Sequence, residues 1–175
     1  RETFPKNIAI HQELDEDLQN VSGDITQLHQ VLMNLAVNAA DAMPDGGTLT
    51  FVAQNVILDE HYARMNVDAK AGAFVMIQLI DTGCGIPDQL IHKIFDPFFT
   101  TKEKGKGTGL GLSTSISIIR GHSGSINVYS EVGKGTRFSI YLPALKETGK
   151  EETDKEHILS RGNGEMILVI DDESA

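Results

Sequence analysis

Three side-chain amides recur at every fourth position of one apolar stretch, ITQLHQVLMNLAVNAADAM. They belong to Gln30, Asn34 and Asn38, and a helix would bring them onto one face. Amides are costly to bury without partners, so this stripe either faces solvent or meets a ligand. Asn38 offers a neutral oxygen ligand of the kind that suits a magnesium ion already shared with phosphates.

A carboxylate follows the apolar stretch FVMIQLI, in the sequence DTGCGIP. Asp81 is followed there by Gly83 and Gly85, which let the backbone approach a ligand while the carboxylate faces a cleft. Because a carboxylate only accepts hydrogen bonds, an amino group such as the exocyclic amine of adenine suits it. A tight turn with the Asp capping its own backbone is the alternative. Cys84 is expected to be a small packing residue, since no Cys or His cluster near it indicates a metal site.

A third stretch, FDPFFTTKEKGKGTGLGLS, joins an aromatic patch to a run of lysines and glycines. Its glycines precede a helix whose unpaired N–H groups and dipole favour phosphate, and Lys102, Lys104 and Lys106 add cations. The glycine spacing matches neither the P-loop nor the dinucleotide fingerprint, and a plain linker is the alternative. We expect a lid that is mobile when empty and ordered by nucleotide. Its hinge would be anchored by packed phenylalanines, Phe95, Phe98 and Phe99.

Composition limits the classes of protein that fit. The 175 residues, 40% of them hydrophobic, suit one compact domain with appendages. A formal net charge of -10 argues against a nucleic-acid surface. No apolar run is long enough to cross a bilayer, so we expect no membrane contact by this chain. The single cysteine fits a reducing compartment, and we expect a cytoplasmic location. Because the chain starts at Arg1 rather than Met, we interpret it as a piece of a longer protein.

Periodicity and turn signals predict the elements that must position these residues. The first helix is expected to begin after Asp24, with Gln27 completing a capping box, and to end at the turn Pro44–Gly47. A second helix is expected from Leu110 to Arg120, with Gly121 as its C-cap. Strands are expected at Asn7–Leu14, Leu18–Val21, Leu49–Leu58 and Phe74–Ile80, and as a hairpin of SINVYSE and TRFSIYL about VGKG.

The boxes NLAVNAADAM, DTGCGI, FDPFF, GKGTGLGLS and GKGTRF, in this order and spacing, resemble the catalytic ATP-binding domain of sensor histidine kinases. That family shares a superfamily with DNA gyrase, MutL and heat-shock chaperone ATPases. The resemblance covers about residues 4–143 and implies an α/β two-layer sandwich. In this fold a mixed sheet of about five strands carries helices on one face, and ATP lies between the helices and the lid.

The resemblance also implies roles for individual residues. Asn38 would coordinate magnesium, Asn34 would lie by the phosphates and Asp81 would bind the adenine amine, with Gly83 and Gly85 at the pocket floor. The other implied ATP-binding residues are Phe99, Thr100, Thr101, Lys102, Lys106, Gly107, Gly109, Leu110, Gly111 and Thr136. In many family members a basic residue stands three positions after the second asparagine, where this chain has Asp41. Neutralising the phosphates would then fall to the ion and the lid lysines.

The resemblance implies a modular chain and partners outside it. We expect the catalytic domain at residues 1–145, a charged linker at 146–164 and the first strand of a truncated receiver domain at 165–175. Asp171 and Asp172 would form the acidic pair of that receiver, although a strand with an acidic end is the alternative. The expected partners are an upstream dimerisation and histidine phosphotransfer domain and a downstream receiver domain or response regulator. The full-length protein is expected to be a homodimer.

Three activities are considered for a chain with these residues. The resemblance favours a kinase that passes the γ-phosphate of ATP to a histidine of the partner domain. A hydrolytic ATPase of the gyrase or MutL type would need a glutamate four residues before Asn38, where Asn34 cannot accept a proton. A degenerate nucleotide-binding or scaffolding module is the third possibility. No histidine of this chain fits the acceptor pattern, a histidine beside an acidic residue on a helix of the dimerisation hairpin, so the acceptor is expected elsewhere.

Overall fold

The computed structural model describes residues 5–60, 64, 70–102 and 107–145 of the chain. The strands of this part are β1 (Ile8–Leu14), β2 (Gly47–Leu58), β3 (Gly72–Asp81), β4 (Ser125–Glu131) and β5 (Gly135–Pro143). Its helices are α1 (Ile25–Asp41), α2 (Asp88–Ile91) and α3 (Gly111–Gly121). The expected linker and receiver strand, with Asp171 and Asp172, lie outside the described residues.

The strands form one mixed sheet in the order β1-β2-β3-β5-β4. The edge strand β1 runs parallel to β2, and the other neighbours are antiparallel. In this register Asp81, the last residue of β3, is paired with Leu49 on one side and with Thr136 on the other. The carboxylate of Asp81 therefore lies at the end of the central strand β3, between β2 and β5.

The hydrophobic core lies on one face of the sheet. Because side chains alternate along a strand, Leu49, Leu79 and Ile140 share the face against which Leu35 of α1 and Ile119 of α3 pack. All five side chains are almost completely buried. The expected two-layer sandwich, a five-stranded mixed sheet with helices on one face, is confirmed.

Helix α1 begins with the expected cap but without the full capping box. Oδ1 of Asp24 accepts hydrogen bonds from the backbone N–H groups of Thr26 and Gln27 at 2.8 and 3.0 Å. The Asp24 N–H donates to Nε2 of His122 at 2.9 Å instead of to the Gln27 side chain. His122 consequently links the start of α1 to the end of α3, and it serves as a structural residue.

Two further expectations about local structure are corrected. Leu18–Val21 is not a strand, since only an isolated bridge from Val21 to Ala144 occurs there. The reason is tertiary: Asn55 accepts from the Gln19 N–H at 2.9 Å and donates to the Asp17 carbonyl at 2.7 Å, which holds this segment in a loop. Gly121 is the last helical residue of α3 rather than its cap. None of the described helices is long and apolar enough to span a bilayer.

Candidate nucleotide-binding site

Two adjoining cavities open between α1, α3 and the segment that follows α2. The strand-side cavity, of about 260 Å³, is lined by Asp81, Thr136 and Phe138 together with apolar side chains such as Ile86 and Leu90. The glycine-side cavity, of about 340 Å³, reaches the glycines before α3. The residues that line both cavities are Asn38, Asp41, Ile94, Phe99, Thr100, Lys102 and Leu112. The two cavities are therefore halves of one cleft.

Asp81 is the buried acceptor of the strand-side cavity. Its side chain is 5% exposed, and its Oδ1 accepts from the N–H groups of Gly83 and Thr136 at 2.9 and 3.2 Å. No residue of the described part donates to Oδ2, and the side chain lines the cavity. Burial raises the pKa of Asp81 above its ordinary value, while the two backbone donors act in the opposite direction. The result is one carboxylate oxygen left for a donor on a ligand.

Backbone contacts fix the floor beneath Asp81. A Cβ added to Gly85 would lie 2.2 Å from the Glu131 carbonyl oxygen, and the φ of Gly85 is 71°, a conformation that favours glycine. The N–H of Gly133 in the β4–β5 turn donates to the Cys84 carbonyl at 2.9 Å. Ser130 Oγ accepts from the Ile86 N–H at 2.8 Å. The Asp-Gly-x-Gly turn is thereby held against the hairpin, and its conformation is fixed without a ligand.

Lys102 stands where the two cavities meet. Its Nζ donates to Oδ1 of Asn38 at 3.1 Å and forms a salt bridge with Oδ2 of Asp41. Asn38 and Asp41 are three residues apart on α1, so both side chains leave the same face of the helix and reach one ammonium group. The side chains of Lys102 and Asp41 are 33% and 49% exposed, which leaves the pair in contact with solvent.

Asn34 is more occupied than the amide stripe suggests. Its Nδ2 donates to the Gly111 carbonyl at 3.2 Å and to Ser115 Oγ at 3.4 Å. It therefore joins α1 to the first turn of α3 while lining the glycine-side cavity. Gln30, the third amide, is exposed and lines neither cavity, so the stripe divides into a solvated end and a cleft end.

The phenylalanine anchor is only partly as expected. Phe95 and Phe99 pack against the core, but Phe98 is 74% exposed and has a φ of 68°. Its backbone N–H donates to the Gly109 carbonyl at 2.9 Å, which joins the chain before and after the lysine- and glycine-rich stretch. A Cβ on Gly109 would approach the Phe98 carbonyl carbon to 2.3 Å. The contact between these two segments is therefore made by the backbone of Phe98 and not by its ring.

The cleft brings together most of the residues singled out from the sequence. Those on the strand side are Asn38, Asp81, Gly85, Phe99, Thr100, Thr101, Lys102 and Thr136. Those on the glycine side include Asn34, Gly107, Gly109 and Gly111. Gly83 lines neither cavity: it is buried with its Cα facing the Ala42 backbone, which excludes a larger side chain. Leu110 is 40% exposed and also lines neither cavity. Lys104 and Lys106 lie outside the described residues.

Sequence reasoning missed the apolar walls of the cleft. Ile86, Leu90, Ile94 and Leu112 contribute to them, although in the sequence they are indistinguishable from ordinary core residues. The alternation of TRFSIYL could have identified Phe138, since it shares a face of β5 with Thr136. Cys84 was expected to pack inside, but it is exposed at the rim of the strand-side cavity.

A divalent ion fits this cleft only if a bound nucleotide supplies some of its ligands. Within the described ranges no group of three His, Cys, Asp or Glu side chains could hold a metal on its own. Oδ1 of Asn38 is a hard neutral oxygen that faces the cleft, which suits a magnesium ion that takes its remaining ligands from water and phosphate. The donor set therefore fits magnesium bound together with a nucleotide, and it does not fit a permanent structural metal.

Comparison with known proteins places this cleft in a family. Residues 23–146 match the model of the histidine kinase-, DNA gyrase B-, and HSP90-like ATPases. The sensor kinase CckA of Brucella abortus is 41% identical over 178 residues, which cover 97% of this chain and 19% of that protein. Sporulation kinase A of Bacillus subtilis is 40% identical over 136 residues, 78% of this chain and 20% of that protein. This chain thus spans about a fifth of the length of these curated relatives.

Solved structures agree with this family match. The nucleotide-free catalytic domain of histidine kinase ThkA superposes with a TM-score of 0.62 and 32% identity, covering 79% of this chain and 80% of that one. Full-length ShkA in complex with AMPPNP gives a TM-score of 0.63 and 27% identity, covering 79% of this chain and 26% of that one. The fold and the family are therefore supported by independent comparisons.

Proposed function

The chain belongs to the family of histidine kinase-, DNA gyrase B-, and HSP90-like ATPases, and we propose that it is the ATP-binding catalytic domain of a sensor histidine kinase. Its similarity to full-length sensor and sporulation kinases supports the kinase branch of this family. In this proposal the domain binds Mg-ATP and presents the γ-phosphate to a histidine of a separate domain. It acts in the cytoplasm, where ATP is available.

One observation carries the proposal: a buried carboxylate with an unused oxygen at the end of an apolar cavity. Oδ2 of Asp81 accepts a hydrogen bond donated by the exocyclic amine of adenine, while Ile86, Leu90 and Phe138 contact the ring. Thr136, next to Asp81 across the sheet, lies at the same edge of the base. A cavity with this chemistry selects a planar, mostly apolar ring that carries an amino group.

The phosphates occupy the glycine-side cavity in this proposal. Gly107 and Gly109 bring backbone close to them, and the N-terminus of α3 at Gly111 contributes unpaired N–H groups and the positive end of its dipole. Asn38 would hold a magnesium ion through Oδ1. The bound ion would neutralise phosphate charge, and Lys102 supplies a further positive charge from the other side of the cleft.

The chain itself provides binding and orientation rather than a nucleophile. In the transfer, a nitrogen of the acceptor histidine forms a bond to the γ-phosphorus while the bond to the β–γ bridging oxygen breaks, and ADP leaves. Asn34 stands where hydrolytic relatives would need a general base. Its amide cannot take a proton from water, and its Nδ2 is already bonded to Gly111 and Ser115. We therefore expect little hydrolysis.

The histidines of the described part support a separate acceptor. Nε2 of His122 accepts from the Asp24 N–H, so its Nδ1 carries the proton and donates to the Ile118 carbonyl at 2.8 Å. Both ring nitrogens of His122 are therefore occupied by backbone groups at the start of α1 and the end of α3. His11 is on the edge strand β1, and His29 is on the exposed side of α1 beyond the cleft. His92 is exposed directly after α2. None of these four lines either cavity, and the partner domain is proposed to supply the acceptor.

Two measurements test the proposed function. Calorimetry on the isolated chain should show binding of ATP with magnesium and much weaker binding of GTP. Incubation with γ-labelled ATP should leave the isolated chain unlabelled, and it should label a dimerisation domain supplied in trans, weakly because no tether raises the local concentration. ATP binding without any transfer would favour a degenerate binding module. Strong acid-labile label on the isolated chain would contradict the proposal that the acceptor histidine lies in a separate domain.

A further inference from the structure

The described walls of the cleft contain one basic side chain, Lys102, beside two acidic ones, Asp41 and Asp81. The chain as a whole carries a formal net charge of -10. A triphosphate entering this cleft therefore meets an unfavourable background potential. The position and orientation of the Lys102 ammonium then decide how much of that potential is offset at the phosphates.

Lys102 is held before any nucleotide arrives. An ammonium group has three N–H donors, and two of them are engaged by Oδ1 of Asn38 and Oδ2 of Asp41. The third has no acceptor within the described residues. Because Lys102 lines both cavities, its ammonium lies at their junction, with the remaining donor available to an anionic ligand there.

We propose that Asp41 is a positioning residue that acts through Lys102, an inference that rests on the proposed ATP-binding function. Asp41 stands three positions after Asn38 on α1, on the helix face that lines the cleft. Here it holds a cation delivered from the opposite wall of the cleft. The geometry explains how an acid can stand next to a phosphate site: its charge is offset by the same lysine that it orients.

Orienting the lysine in advance affects affinity for a physical reason. A lysine side chain has four rotatable bonds, and fixing it on a ligand costs conformational entropy. When Asp41 and Asn38 already restrict the side chain, less of that cost is left to be met on nucleotide binding. Without Asp41, Lys102 retains its charge but loses its fixed position. Asp41 then contributes to phosphate affinity only while Lys102 is present.

A double-mutant cycle tests this dependence, with calorimetry of a non-hydrolysable ATP analogue and magnesium on the whole chain. Lys102→Met should weaken binding by about tenfold or more, because a charge-assisted bond is lost. Asp41→Asn should weaken it by about threefold to tenfold. The double variant should bind no more weakly than Lys102→Met alone. Asp41→Glu should retain affinity, since a carboxylate remains within reach.

Matched controls separate position from overall charge. Lys93→Met and Asp45→Asn make the same changes at exposed residues that line neither cavity, and they should bind like the wild type. Adenosine, which has no phosphate, should bind equally to every variant. Equal adenosine affinity and unchanged thermal unfolding would assign the losses to the phosphate side of the cleft.

Three results would overturn the inference. Asp41→Asn binding the analogue as tightly as the wild type, or more tightly, would make Asp41 a bystander or a repulsive charge. Losses that multiply in the double variant would mean that the two residues act independently. A wild-type chain that binds the ATP analogue no more tightly than adenosine would also refute the inference. Binding of neither ligand would instead refute the proposed function itself.

Discussion

The Nζ atom of Lys102 lies 3.1 Å from Oδ1 of Asn38, although 64 positions separate the two residues in the chain. The amide oxygen assigned to magnesium is thus already an acceptor for a cation. An ion that approaches Asn38 has to compete with the lysine for this oxygen. Binding of magnesium with nucleotide is therefore expected to move the ammonium of Lys102 toward the phosphates.

Replacing Asn38 by Ala should remove the magnesium dependence of nucleotide binding. Wild-type affinity for ATP is expected to be about tenfold higher with magnesium than with EDTA, because the ion bridges protein and phosphates. In Asn38→Ala the two affinities should converge, as measured by calorimetry. Gln30→Ala, an exposed amide on the same helix, is the control and should keep the full effect. A magnesium effect of wild-type size in Asn38→Ala would exclude this residue as the ligand.

Replacing Asp81 by Asn should weaken ATP binding with little change in shape. The amide oxygen can still accept from Gly83 and Thr136, which leaves the NH₂ group, a donor, directed at the adenine amine. The expected loss is about tenfold or more, the size of a charge-assisted hydrogen bond. Asp96→Asn, an exposed carboxylate that lines neither cavity, is the control. If Asp81→Asn binds ATP as the wild type does, adenine is recognised by other groups.

The same substitution should change how stability depends on pH. The folded pKa of Asp81 is raised, so the folded state binds more protons than the unfolded state in the window above the ordinary aspartate value. The stability contributed by the protonated carboxyl is present below that value and is lost as pH rises through the raised pKa. Asp81→Asn cannot ionise and escapes this loss.

Urea unfolding without nucleotide, repeated from about pH 4 to neutrality, measures this difference. The free energy of unfolding of Asp81→Asn should rise relative to that of the wild type as pH increases. A constant difference between Asp81→Asn and the wild type over the whole range would mean that burial of the carboxylate has no net cost.

Two glycines with similar backbone conformations should respond differently to Ala. Gly85 and Gly133 have φ values of 71° and 80°, but only at Gly85 would a Cβ meet other atoms, 2.2 Å from the Glu131 oxygen. Gly133→Ala should cost about 1 kcal/mol of backbone strain. Gly85→Ala should cost more, about 3 kcal/mol, because the floor of the cleft must shift as well. Chemical denaturation would compare them, and equal losses would show that steric contact at Gly85 is relieved.

Local patterns predicted the elements well but not the contacts between distant segments. The ends of β3 and α3 were expected within two residues of where they lie, because a continuous apolar run and a glycine-flanked amphipathic stretch are strong local signals. The Leu18–Val21 strand was wrong because Asn55, from another strand, supplies the hydrogen bonds that a neighbouring strand would have made.

Most of the residues singled out from the sequence line the cleft, but the interactions among them could not be predicted. Asp81 stood out because a carboxylate directly after a buried strand is unusual. In the sequence Asp41 was only a departure from the family pattern, and its salt bridge crosses 61 positions of chain. The exposure of Phe98 was also missed, since an aromatic residue beside packed phenylalanines is expected to be packed too, and its positive φ could not be read from the sequence.

The hydrogen bond from the Phe98 N–H to the Gly109 carbonyl turns the intervening chain into a ring with a fixed root. The closure entropy of such a ring grows only with the logarithm of its length, about 0.6 kcal/mol for each doubling. Because Phe99, Thr100, Lys102 and Gly107 belong to this ring and line the cleft, only insertions between Lys102 and Gly107 are expected to leave those walls in place at a small cost in stability. A reporter sequence would accordingly be inserted between these two residues and not elsewhere in the ring.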